Sequence, residues 1–157
     1  MLHATQYLTK LTAWETSGPG PHTGEFSSDA GWTLRATAQK VESIGCLLNE
    51  VELQRTQPAP ASLSLSVFAE QIARDATGLM ERLAVHEIDS EANVAILRSE
   101  KPTVRGTVVH YFEVRLNGLD QVSVRRYQAD RAAGTRREQI AFPMTHETLA
   151  NFAAQVV

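Results

Sequence analysis

Apolar and polar residues alternate most regularly between Thr107 and Tyr127. Side chains on a strand point to opposite faces in turn, so one face of this stretch carries Val108, His110, Phe112, Val114 and Leu116, and the other Val109, Tyr111, Glu113 and Arg115. After Gly118 the alternation resumes, with Val122 and Val124 on one side and Gln121, Ser123, Arg125 and Tyr127 on the other. The pattern predicts a β-hairpin. Asn117-Gly118 is a common two-residue turn, but that pairing would set Val114 opposite Gln121 and Phe112 opposite Ser123. A one-residue shift moves every side chain to the other face. The expectation is therefore an odd-length loop of three residues, with Gly118 left-handed, which keeps Val122 and Val124 on the side of Phe112 and Val114.

Elsewhere the periodicity is mixed. Residues 1–14 fit a helix by Ala4, Leu8 and Leu11 and a strand by their threonines. Gly18-Pro19-Gly20-Pro21 and Ser27-Ser28-Asp29 predict an irregular connection over 15–31. Leu34, Ala38, Val41, Ile44 or Gly45, and Leu48 recur at three and four and predict a helix from Trp32. Gly45 within it marks a point of close packing. Val51 and Leu53 alternate with Glu50, Glu52 and Gln54, as a short extended piece would, and Pro58-Ala59-Pro60 stops what precedes it. A second helix is expected over 63–82, with Ser62, Ser64 and Ser66 as alternative caps. Residues 84–88 and 94–98 flank a polar loop and predict another hairpin. A basic loop over 130–137, a strand with Ile140 and Phe142, and a helix capped by Thr145 complete the chain. Leu149, Phe152, Ala153 and Val156 form the apolar stripe of that helix.

The element order predicts an α+β protein with two N-terminal helices, an antiparallel sheet of about five short strands and a C-terminal helix packed on the sheet. A chain of 157 residues fits a single domain, 1–157, with 15–31 its irregular loop. Charge adds one detail. Residues 1–97 carry six Lys/Arg against twelve Asp/Glu, and 98–157 carry nine against six, so basic character gathers in the C-terminal part. Cys46 is the sole cysteine, which rules out an intramolecular disulfide and fits a reducing compartment. With neither a signal-peptide pattern at the N-terminus nor an apolar run near the ~18 residues that span a membrane, the expected location is cytoplasmic, with no membrane partner.

Candidate chemistry is sparse. The five histidines (3, 22, 86, 110 and 146) do not pair at helical spacing, and no metal or other cofactor is expected. Neither a Gly-x-Ser-x-Gly nor a phosphate-binding glycine loop is present, so no catalytic residue is assigned and whether the chain is an enzyme stays open, with a non-enzymatic role favoured. Cys46 reads as a buried, inert thiol in a helix.

One surface carries a specific expectation. Tyr111, Arg115, Arg125 and Tyr127 share the second hairpin face, and Arg131, Arg136 and Arg137 follow in the adjacent loop, with Arg126 beside them. Rings on a sheet stack bases while guanidinium groups hold phosphates, so these residues are candidates for binding a ligand or single-stranded nucleic acid. Over residues 107–157, four strands followed by a helix resemble the architecture of the transcriptional-coactivator type of single-stranded DNA-binding domain. Type III secretion chaperones are also small acidic α+β proteins and dimerise, but they insert a helix between strands, an order not read here. The expected function is a non-enzymatic binding or protein-interaction module, with a protein or a second copy as partner. Single-stranded nucleic-acid binding is the alternative.

Overall fold

A computed structural model describes residues 2–132, 134 and 136–156. The chain opens with helix α1 (Leu2–Thr12), followed by strands β1 (His22–Ser27), β2 (Trp32–Val41) and β3 (Gly45–Arg55) and helix α2 (Leu65–Asp75). Strands β4 (Leu83–Asp89), β5 (Val94–Ser99), β6 (Thr103–Arg105), β7 (Val108–Asn117) and β8 (Gln121–Asp130) come next. Short strands β9 (Glu138–Ile140) and β10 (Phe142–Thr145) lead into helix α3 (His146–Val156). Among the described residues the fold is α+β, with three helices and an open, wholly antiparallel sheet of ten strands, seven in the order β1-β2-β3-β8-β7-β5-β4 and three short ones off that path, β10 on β3, β6 on β7 and β9 on β8.

The central hairpin forms in the expected register. Val114 lies opposite Val124, Leu116 opposite Val122, and Asn117 closes the loop against Gln121. Gly118 takes a φ of 65°, a conformation that suits a residue without a side chain. Phe112, Val114, Val122 and Val124 are all buried in one contiguous apolar core. The expected hairpin over 84–98 also forms, as β4 and β5.

Four expectations fail. The predicted helix from Trp32 is the β2–β3 hairpin, so one helix rather than two precedes the sheet, and the ambiguous segment 1–14 supplies it as α1. The reason lies in two offset bulges. Trp32, Leu34, Ala36 and Ala38 point inward at period two, then the register shifts around Gln39; Cys46 and Leu48 point inward, then it shifts around Asn49 before Val51 and Leu53. Each bulge turns a two-residue interval into three, at Ala38 to Val41 and Leu48 to Val51, and three is helical spacing. The second failure is the irregular loop 15–31, which contains β1, paired along its length with β2.

Helix α2 is the third, since it stops at Asp75 instead of continuing to 82. Ser64 caps its start, accepting a bond from the Val67 N–H at 3.2 Å. At its end Gln155 of α3 accepts from the Thr77 N–H and donates to Thr77 Oγ1, both at 3.0 Å, and holds the chain in an extended path. Fourth, the sheet has ten strands rather than about five, because the segments read as a helix and as loops also pair into it. As expected, α3 packs on the sheet, against β3 and β10, but chiefly on α1 and also on α2, and Phe142 of β10 carries the contact onward to Phe112, ring centroids 5.3 Å apart and nearly perpendicular. Because α2 sits between β3 and β4, the chain does insert a helix between strands, so the contrast drawn with type III secretion chaperones on that ground falls away.

The sheet also forks. β3 pairs with β8 from Val51/Val124 to Gln54/Gln121, and beyond that the two strands part. Residues 138–145 line the opening, β9 running up β8 and β10 running back down β3. Gln139 spans it, donating to the carbonyl of the bulged Asn49 at 2.8 Å.

Candidate functional site

The sheet has a helix-covered inner face and a polar outer face, and strand register decides what meets on the latter. Glu50 of β3 pairs with Arg125 of β8, Arg125 stands opposite Glu113 of β7, and Glu113 stands opposite Arg98 of β5. This is a row of alternating charge across four strands. In the adjacent row Glu52 faces Ser123, which faces Arg115. Beyond it Gln54 faces Gln121, which faces Asn117.

Tyr111 and Tyr127 lie directly opposite each other, centroids 6.0 Å apart. Arg137 folds over them from the chain that leads into β9. Its guanidinium lies 3.8 Å from the centre of the Tyr127 ring, donates to Tyr111 Oη at 3.3 Å, and is bonded to the Glu113 carboxylate. Arg98 donates to Glu113 at 3.0 Å from the other side. Glu113 is buried beneath these groups. Loss of water would raise its pKa, but the hydrogen bonds and charges of Arg137 and Arg98 outweigh that and hold it below the ordinary carboxylate range.

Of the seven residues singled out from sequence, Tyr111, Arg115, Arg125, Tyr127 and Arg137 are thus brought to one surface, and four of them line a shallow cleft of about 380 Å³. Arg131 and Arg136 are exposed and do not line it. Arg126 belongs to the inner face, where it is buried against Glu81. Glu50, Glu52 and Arg98 were not foreseen. Their alternation was visible in the sequence, but their place beside the hairpin depends on β3 and β5 pairing with β8 and β7.

A second feature lies at the fork. Ile44 on the β2–β3 turn, Met80 in the link after α2 and Pro143 on β10 rim an apolar groove of about 560 Å³, with Phe112, Leu79, Cys46 and Met144 among its lining residues. Ile44 is 74% exposed and Met80 67%, large apolar side chains left in water beside an apolar depression. Cys46 is buried on a strand, not in a helix, and burial pushes its thiol up to about 11. At neutral pH it is protonated and a poor nucleophile.

Among the described residues no three His, Cys, Asp or Glu side chains stand together as a metal site, and no helix is long and apolar enough to cross a membrane. No protein-family model, curated protein or solved structure matches the chain.

Proposed function

We propose that the protein is a binding module that holds a segment of another polypeptide in the groove rimmed by Ile44, Met80 and Pro143. The observation that carries this reading is the exposure of Ile44 and Met80 beside an apolar depression of about 560 Å³. Contiguous apolar surface in contact with water marks an interaction site on a folded protein, and methionine adapts its shape to different partners. Single-stranded nucleic acid is the weaker reading. Arg98, Arg125 and Arg137 are bonded to Glu113 and Glu50, and Arg137 already lies over the Tyr127 ring that a base would need.

A library of extended peptides with apolar residues at alternate positions, read by fluorescence anisotropy, tests the proposal. Binding in the micromolar range, weakened about tenfold or more by Ile44→Asp or Met80→Asp, is expected. The reading is overturned if no peptide binds, or if those that bind ignore both substitutions while the melting temperature is unchanged.

A further inference from the structure

The outer-face cleft has an uneven charge arrangement. Glu50 is bonded to Arg125, and Glu113 is bonded to both Arg98 and Arg137. Arg115 and Glu52 stand one on each side of Ser123 in the same cross-strand row, Arg115 with no such partner and Glu52 with a long one only. Among the described residues Arg115 meets no carboxylate, and its Nε donates only to the amide oxygen of Asn117, at 3.0 Å. The cation nearest Glu52 is Arg35, at 3.9 Å and shared with Glu25 at 4.0 Å. The neighbouring Glu50 carboxyl, then some burial and the repulsion of Glu50, lift the pKa of Glu52 against the opposing pull of Arg35 and Arg125. The Ser123 hydroxyl makes no hydrogen bond among the described residues. All four side chains, Glu50, Glu52, Ser123 and Arg115, line the cleft.

A cation that meets no carboxylate and a carboxylate held only by a long contact to a shared arginine, two strand spacings or about 10 Å apart at the backbone, thus face one cleft across a free hydroxyl. From this arrangement we infer that the cleft takes a small zwitterion of the amino-acid type, a free α-amino acid or a dipeptide. The carboxylate binds Arg115 with a hydrogen bond from Ser123, and the ammonium binds Glu52 and Glu50. Guanidinium and carboxylate form paired charge-assisted hydrogen bonds, and an ammonium, with three donors, reaches both glutamates. A volume of about 380 Å³ leaves room for a side chain as well. This site is separate from the groove, and its test is independent of the peptide experiment.

The full chain is titrated by calorimetry with the standard L-amino acids and glycylglycine, each beside its N-acetyl and amide forms, with inorganic phosphate as an anion control. At least one zwitterion is expected to saturate the protein below about 10 mM, and blocking either its amine or its carboxylate should weaken it about tenfold or more. Arg115→Gln and Glu52→Gln should each do the same. Because Glu52 must be ionised to receive an ammonium, affinity should also rise with pH across the acid range. The inference is overturned if no zwitterion binds, if the blocked forms or phosphate bind as well, or if Arg115→Gln and Glu52→Gln leave affinity unchanged. Circular dichroism of both variants separates loss of the site from loss of the fold.

Discussion

Glu81 and Arg126 meet inside the protein, with Oε1 and Nη1 3.2 Å apart and both side chains less than a tenth exposed. Glu81 also accepts from Ser99 at 2.6 Å and from Thr103, while the Arg126 guanidinium lies 4.3 Å from the centre of the Phe112 ring. Arg126 is on the inner face because it stands opposite Phe112 in the hairpin register. Taking two charges out of water is costly, and only full pairing offsets it. Arg126→Met strands the carboxylate and should destabilise the fold by about 3 to 5 kcal/mol, whereas Glu81→Leu with Arg126→Met should return to within about 1 kcal/mol of the parent. Urea denaturation of the three proteins decides. A double variant as unstable as the single one would mean that the pair does not act as a unit.

His146, the first residue of α3, is buried, and neither ring nitrogen has a hydrogen-bond partner. Burial lowers its pKa, so the unfolded chain, titrating near 6.5, takes up the proton first. The contribution of neutral His146 is therefore complete above about pH 6.5 and is lost as the pH falls from there toward its folded value. A positive charge at a helix N-terminus is unfavourable as well. Glu81 and Glu113, held below ordinary carboxylate values, lose their contributions only at lower pH, and Glu52, which is shifted upward, works in the opposite sense. His146→Leu should flatten the fall in melting temperature between pH 7 and pH 5 and stabilise the fold at pH 5 by about 1 kcal/mol or more. Parallel slopes for the two proteins would count against this.

Gly45 is a point of close packing, although on a strand. A side-chain carbon there would sit 2.6 Å from the Met144 carbonyl oxygen, closer than real contacts allow, where β10 pairs with β3. Gly45→Ala should push β10 outward, lower stability by about 1 to 3 kcal/mol and speed amide exchange at Phe142, Met144 and Thr145. Ordinary exchange in that strand would show that the backbone yields without cost.

The hairpin was legible because its information is local. Strict alternation between Val108 and Val124 permits one register in which apolar groups meet, and the loop length follows from it. The cap of α3 was equally local, with Thr145 Oγ1 accepting from the Thr148 N–H at 3.0 Å. The β2–β3 region was not, because its paired bulges imitate helical spacing, and only the partner strand and β10 make an extended chain the better solution there.

The sequence by itself determined which side chains share a face within one strand pair, hence that Tyr111, Arg115, Arg125 and Tyr127 stand together. Tertiary structure decided which of them are free to act. Pairing of β3 beside β8 and β5 beside β7 brought Glu50 to Arg125 and Arg98 to Glu113, and left Arg115 and Glu52 on opposite sides of Ser123. Alternation is a property of neighbours along the chain, whereas the charge each residue meets depends on strands up to 75 residues away, as for Glu50 and Arg125.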